Sequence, residues 1–310
     1  MKQEDPSTES ILKQIAKEAA SSSINIYFLL KELADNINEV LWLRTPDRML
    51  YISPAYETIW GRSCQSLYQS PESFFESIHF EDRERIISAF QEGAVNKIGY
   101  IKEEYRIVRP DGTLRWILSK SFPVHDEKGQ VLFSAGIAED ISERKLVEET
   151  LRYRSLHDAL TDLYNRAYFQ EEMLRLDNMR DNPVGLIIVD MDGLKTVNDS
   201  LGHLMGDKLI QDAAKLLRSC FRKSDVVARI GGDEFAVLLP RTSSEAVLAS
   251  IKRIQAEVAE YNIQNEVSMG LSIGQATRMD TSRTMLELFK EADDEMYANK
   301  PGSCRKKSTK

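Results

Sequence analysis

The sequence predicts an α/β (α+β) protein of two domains: an N-terminal antiparallel sheet with flanking helices, a helical connector, and a C-terminal central sheet surrounded by helices. Three observations predict it. The chain has 310 residues, where one domain usually takes roughly 100–200. Residues 39–141 break into short apolar and β-branched runs separated by turn residues. From about residue 160 onward, helical and strand periodicities alternate.

The elements follow in order. Residues 1–35 form a leader that is polar up to three serines at 21–23, after which apolar residues recur at helical spacing over 24–37. The first domain spans 36–142. Its runs 41–44 and 49–52 flank Thr45-Pro46-Asp47-Arg48, and its runs 103–108 and 114–121 flank Arg109-Pro110-Asp111-Gly112. Run 131–138 follows Asp126-Glu127-Lys128-Gly129. Turn chemistry in each gap predicts hairpins. Residues 54–92 read as short helices. The connector, 143–157, lies within a charged helical stretch at 141–158. It has neither Pro nor Gly, so it is stiff. Its sparse apolar positions, Ile141, Val147, Leu151 and Leu156, leave two readings open: a solvated helix packed on one domain, or a two-stranded coiled coil. The second domain, 158–303, should carry helices over 169–179, 206–221, 244–261 and 283–299, and strands over 184–189, 226–230, 235–239 and 267–273. Residues 304–310 form a basic tail.

Composition narrows the function. A hydrophobic share of 42% supports packed cores and excludes global disorder. The net charge of −8 argues against a nucleic-acid polymer as partner, because phosphate chains need a basic field. It leaves a small nucleotide open. The three cysteines, Cys64, Cys220 and Cys304, read as reduced thiols. No apolar run approaches the roughly 20 residues of a membrane helix, and the N-terminus has no signal-peptide layout. A cytoplasmic protein without a membrane span is expected.

The candidate chemistry lies in the second half. Asp190 and Asp192 follow the 184–189 strand. Carboxylates so spaced can hold Mg²⁺, a hard cation, or merely form a turn and a helix cap. In RIGGDEFAVLL, residues 229–239, Gly231 and Gly232 read as a two-residue hairpin turn. Asp233 and Glu234 follow at its tip, and adjacent like charges call for a compensating cation or substrate. A bare Gly-Gly turn also lets backbone N–H groups approach a phosphate. Asp190, Asp233 and Glu234 converge if the two strands are neighbours.

Residues 156–300 resemble the GGDEF, or diguanylate cyclase, family. The resemblance is carried by DALTDLYNR (158–166), DMDGLKTVNDSLGHLMGD (190–207), RKSDVVARIGGDEF (222–235), VSMGLSIG (267–274) and EADDEMYANK (291–300). It implies a transferase that joins two GTP into cyclic di-GMP and releases two pyrophosphates, as a homodimer in which each subunit presents one GTP. It implies that Asp190, Asp233, Glu234 and the main-chain carbonyl of Met191 hold Mg²⁺ or Mn²⁺, with Asp233 and Glu234 catalytic. Asn198 and Asp207 would bond the guanine edge. Gly231 and Gly232 would lie beside the nucleotide. The backbone of Gly193, Leu194 and Lys195, with the Lys300 side chain, would contact phosphate. Arg222 and Asp225 form an R-x-x-D pair, read either as a surface ion pair or as an inhibitory product site, with Arg253 a further candidate from a neighbouring subunit. The chain departs from the family pattern at Asp162, Gly193, Leu194, Asn299 and Cys304, which leaves phosphate binding by Arg305 open.

Residues 36–145 resemble a PAS domain through YISPAYETIWGRS (51–63), IHFEDRERI (78–86), YRIVRPDGTLRWI (105–117) and GIAEDISERK (136–145), with Phe80 replacing a frequent Pro. The resemblance implies a sheet around a small cavity, used for sensing, dimerisation or both. Cys64 has Ser63 before it and Gln65 after it, where the flavin-adduct motif has Asn and Arg. His79 belongs to an H-x-x-D-R helix start and not to a haem site. The PAS ligand is unknown: a small organic molecule or none. The expected function is a PAS-regulated, product-inhibited diguanylate cyclase in signal transduction. A non-catalytic GTP or cyclic di-GMP receptor and a PAS-driven dimerisation scaffold are the alternatives.

Overall fold

The computed structural model describes residues 26–45, 47–96, 101–126, 128–178 and 182–301. Most of the leader and the whole basic tail, with Cys304 and Arg305, lie outside them. The chain divides into two compact units, Met1–Glu148 and Glu149–Lys310.

The first unit opens with helix α1 (Ile26–Asp35). Strands β1 (Val40–Arg44), β2 (Met49–Ile52), β3 (Ile101–Val108), β4 (Leu114–His125) and β5 (Val131–Asp140) form an antiparallel sheet in the order β2-β1-β5-β4-β3. Between β2 and β3 run α2 (Ala55–Trp60), α3 (Cys64–Gln69), α4 (Ser73–Glu76) and α5 (Phe80–Asn96). They cover one sheet face, and Tyr56, Trp60, Leu67, Ile86, Tyr105 and Ile117 fill the core between. β3, β4 and β5 run longer than their apolar patterns indicated, because backbone pairing continues through Lys120, Pro123 and Glu139.

Ion pairs tie α5 to the sheet, Arg85 with Glu103 and Arg106 with both Glu81 and Asp82. Arg106 on β3 grips Asp82 with Nε and Nη2, both at 2.8 Å, and its backbone N–H donates to the same carboxylate at 2.9 Å. His79, just before α5, donates its backbone N–H to the Arg106 carbonyl (2.9 Å), a structural place at the helix start. The Arg106 guanidinium holds the Asp82 carboxyl down at about 2, against an ordinary 3.8. A depressed folded-state value stabilises fully above the unfolded value, and the gain is lost as pH falls through the folded one. The melting temperature of this unit should therefore fall between about pH 4 and pH 2. An Asp82→Asn variant should be less stable at neutral pH and lose that acid dependence. Tryptophan fluorescence reports it cleanly, because the three tryptophans, Trp42, Trp60 and Trp116, all lie in the first unit.

The connector is helix α6 (Ser142–Leu156), and the division between the units falls inside it. Its first turn is anchored: Lys145 and Arg144 pair with Glu104 at 2.6 and 3.2 Å. Leu146, Val147 and Leu151 are exposed.

The second unit contains β6 (Tyr164–Asn165), α7 (Arg166–Asn178), β7 (Val184–Asp192), α8 (Leu194–Leu201), α9 (His203–Ser219), β8 (Val226–Arg229), β9 (Glu234–Pro240), α10 (Ser244–Gln264), β10 (Gly270–Arg278) and α11 (Met285–Asn299). The sheet order is β10-β7-β9-β8-β6, antiparallel except for β6 beside β8. β7 is buried on both faces, as its apolar run foretold. Ile187, Val189 and Met191 meet Leu194, Leu209 and Ile254 on one side. Leu186 and Ile188 meet Phe169, Leu176 and Leu288 on the other. β10 begins later than 267 because Asn262 holds Met269 through both its N–H (2.7 Å) and its carbonyl (2.9 Å), so the chain joins the sheet only after that residue. Short α8 was not anticipated.

Candidate active site

The candidate site sits where β7 ends and β9 begins. Asp190 and Asp192 lie inside β7 and not beyond it, because pairing continues: Asp190 opposes Glu234 on β9 and Ser272 on β10. Register puts Asp190 and Glu234 side by side on the face that carries Ile188 and Ala236. Asp192 accepts from Ser272 Oγ at 2.7 Å.

The signature turn is longer than a two-residue hairpin. Arg229 pairs with Phe235, and Ile230 N–H donates to the Glu234 carbonyl at 2.9 Å, leaving Gly231, Gly232 and Asp233 to make the turn. The Asp233 carbonyl then accepts from Met191 N–H (3.0 Å). A strand residue points its N–H and C=O to the same edge, so the Met191 carbonyl also faces the turn. A Cβ on Gly231 would lie 2.5 Å from Glu234 Oε2, so glycine makes room for that carboxylate.

The acids share one field. Burial raises the Asp190 pKa, with Asp233 and Asp192 adding to it while the hydrogen bond from Lys300 opposes it. Burial raises Glu234 too, with Asp190, Asp233 and Asp293 adding. Lys300, just after α11, reaches Asp190 Oδ2 at 2.9 Å, and that bond raises its own pKa. Among the described residues, no three His, Cys, Asp or Glu side chains are drawn together as a ready cage for an ion. The donors at this sheet end are hard oxygens, the neighbouring carboxylates of Asp190 and Glu234 with the Met191 carbonyl on the turn side, and that set fits Mg²⁺ or Mn²⁺.

The remaining expected residues surround this end of the sheet. Gly193 caps α8 with φ 74°, a left-handed backbone that suits glycine. Leu194 is 8% exposed and packs into the core, so only its backbone can meet a ligand; Lys195 is exposed. Asn198 on α8 lies against Gly206 on α9, where a Cβ would come within 1.9 Å of Asn198 Oδ1. That oxygen is buried and has no hydrogen-bond partner among the described residues. Asp207 follows on α9, exposed. Gly232 is also exposed, with open space about it.

Arg222 and Asp225 do not form the surface ion pair that one reading allowed. The Asp225 carboxylate accepts from the Arg222 backbone N–H (3.0 Å), closing a turn, while Arg218 Nη2 donates to the Arg222 carbonyl at 2.6 Å. The Arg222 side chain is exposed. Arg253 donates to the Cys220 carbonyl.

Sequence reasoning missed one tie. Arg229 pairs with Asp158 (2.9 Å) and donates to the Gly232 carbonyl (2.7 Å), so it bolts the signature turn to the start of the domain. Its place directly before Ile-Gly-Gly was the available signal. Two departures from the family pattern also find explanations. Asp162 holds a left-handed backbone, φ 62°, where glycine is usual, and accepts from Tyr153 at 2.7 Å. Asn299 donates to the Ile273 carbonyl at 2.8 Å.

The fold and the acid pair define a class: a small antiparallel-sheet domain joined by a helix to an α/β domain that presents carboxylates at its sheet end. Residues 155–305 match the family described as "Diguanylate cyclase, GGDEF domain", and residues 49–138 match the PAS fold. The chain therefore carries a PAS fold followed by a GGDEF domain. It is similar to the diguanylate cyclase DgcM of Escherichia coli K12, at 35% identity over 195 residues, 61% of this chain and 46% of that protein. It is also similar to the cyclic di-GMP phosphodiesterase PdeR of the same organism, at 34% over 192 residues, 61% of this chain and 29% of that one. Among solved structures, the coiled coil and GGDEF domain of DgcB from Caulobacter crescentus in complex with c-di-GMP aligns with a TM-score of 0.48 at 26% identity, over 51% of this chain and 87% of that one. The chain spans less than half the length of these two curated relatives. Among the described residues, no helix is long and apolar enough to cross a membrane.

Proposed function

We propose that the protein is a diguanylate cyclase, condensing two GTP into cyclic di-GMP with release of two pyrophosphates, and that its PAS unit regulates the reaction. The observation that carries this reading is the in-register pair of a buried Asp190 and a half-buried Glu234, flanked by Asp233 on the turn, with both of the pair's pKa values raised. Such a cluster is unfavourable until a cation compensates it. Asp190, Glu234 and the Met191 carbonyl would hold Mg²⁺ or Mn²⁺, which supplies charge neutralisation at the phosphates and a lowered pKa for the attacking 3′-hydroxyl. Asp233 would take that proton. Asn198 Oδ1, orphaned in its pocket, would accept from guanine with Asp207 beside it, and Lys300 with the backbone of 193–195 would orient the phosphates. Each chain would present one GTP, and a homodimer in the cytoplasm, where GTP is available, would complete the reaction.

Incubation with GTP and Mg²⁺ tests this: cyclic di-GMP and pyrophosphate are expected, and GTP binding without product would favour a receptor. Two variants refine the reading. Gly206→Ala drives a Cβ into Asn198 and should raise the KM for GTP roughly tenfold, the size of one lost hydrogen bond, with the melting temperature little changed. The exposed Arg222, beside the turn closed by Asp225, is the candidate for binding product. Arg222→Ala should leave the initial rate intact while removing its inhibition by added cyclic di-GMP. An uninhibited parent enzyme would count against an inhibitory site.

A further inference from the structure

A groove runs between α7 and α11 on the sheet face that carries Ile188 and Glu234. Helices α8 and α9 pack on the opposite face, through Leu194 and Leu209. The groove holds a cavity of about 310 Å³, the size at which small-molecule sites begin, roughly 300 Å³.

Helical spacing places its walls. Arg166, Phe169, Gln170 and Met173 recur at i, i+3, i+4 and i+7, so they form one stripe of α7. Leu286, Phe289 and Asp293 form the facing stripe of α11. The Phe169 and Phe289 rings stand 6.0 Å apart where the two helices meet. Ile188 and Ile230 add apolar wall, and Glu234 completes it.

The charges of this groove are unmatched. Among the described residues, the side chains of Arg166, Gln170 and Asp293 make no hydrogen bond or ion pair, with one another or with any neighbour. Asp293 instead adds to the negative field at Glu234. A guanidinium and carboxylates that share a cavity without pairing leave room for a ligand that bears both charges. Arg166 can grip a carboxylate with two parallel N–H donors, and Gln170, one turn along, carries a further NH₂ donor. Asp293 can accept from an ammonium. A simple amine leaves Arg166 unmatched, and a simple acid meets Asp293 and Glu234 as a like charge. A bare metal ion finds no oxygen on Phe169, Met173 or Ile188. Those walls suit an apolar or aromatic body.

We propose that the groove between α7 and α11 binds a free amino acid with an apolar side chain, its carboxylate on Arg166 and Gln170, its ammonium on Asp293, and its side chain on the floor made by Phe169, Met173 and Phe289. The site lies across the sheet from α8 and α9, which carry Asn198 and Asp207, so it is separate from the residues proposed for guanine. Because Glu234 lines it, a bound amino acid stands beside the acid pair.

L-Phenylalanine serves as the probe. 3-Phenylpropionate, which lacks the ammonium, and 2-phenylethylamine, which lacks the carboxylate, are its controls. Each is titrated into the full-length protein without GTP or metal and followed by calorimetry, because the second unit holds no tryptophan to report binding. Phenylalanine should bind saturably, one per chain, and each control at least about tenfold more weakly, the loss of one charged contact. Asp293→Asn should weaken phenylalanine about tenfold and leave 3-phenylpropionate no weaker. Arg166→Gln should weaken phenylalanine by a similar factor and leave 2-phenylethylamine no weaker. No saturable binding of phenylalanine, equal binding of the three compounds, or a folded variant that weakens all three alike would overturn the proposal. The comparison of the three compounds on the parent decides even where a variant fails to fold. Neither GTP nor turnover enters the measurement, so failure here leaves the cyclase reading untouched.

Discussion

Replacing Asp233 with alanine is expected to cut cyclic di-GMP formation by about 10²–10⁴-fold, the usual loss for a positioned proton acceptor. The protein should stay folded, and the structure says why. What ties this residue to the sheet is its main-chain carbonyl, which accepts from Met191 N–H, and alanine keeps that bond. Gly231 and Gly232 still shape the turn. Removing the carboxylate also takes one charge from the field that raises Asp190 and Glu234, so the variant should be no less stable. Chromatographic measurement of product beside thermal melts checks both halves. Parent-like turnover in a folded Asp233→Ala protein would sink the assignment.

Gly274→Ala should do the reverse, damaging stability first. Gly274 on β10 lies beneath α11, and a Cβ there would stand 2.1 Å from the Ala292 carbonyl oxygen and 2.2 Å from the Met296 nitrogen. Both are backbone atoms of a helix, so no side chain can swing aside. The whole helix must lift from a core that holds Leu288, Ala292 and Met296. Overpacking of this kind costs about 1–3 kcal/mol, enough to lower the melting temperature of the second unit by roughly 10 °C at the upper end. Circular dichroism should show that loss while the tryptophan signal of the first unit is unmoved. Catalysis should fall as well, because α11 delivers Lys300 to Asp190.

The periodicities of the sequence delivered the elements but not their joints. β7 was legible because a run buried on both faces has no polar alternation, and the hairpins were legible from Pro, Asp and Gly at their turns. Helix α8 was not: it spans only Leu194–Leu201, and the glycine before it reads as a break. The signature turn was taken as two residues, because glycine pairs commonly make such turns. Only the register of Arg229 with Phe235 shows that Asp233 belongs to it. The positions of Asn198 and Asp207 came from family resemblance, and nothing in their local spacing marks a base-binding role. The Lys300–Asp190 bond joins residues 110 apart and leaves no trace in local pattern.

The Asp158–Arg229–Gly232 tie has a consequence for local stability. Asp158 is two residues beyond the last residue of α6, and its carboxylate also takes hydrogen bonds from Thr161, so the connector's end and the signature turn are joined by one guanidinium. Segments joined in this way open together, as a single cooperative unit. Fraying where the connector enters the domain is then also a loosening of the turn. Amide exchange in the two stretches should share one opening free energy, although 71 residues of chain separate Asp158 from Arg229.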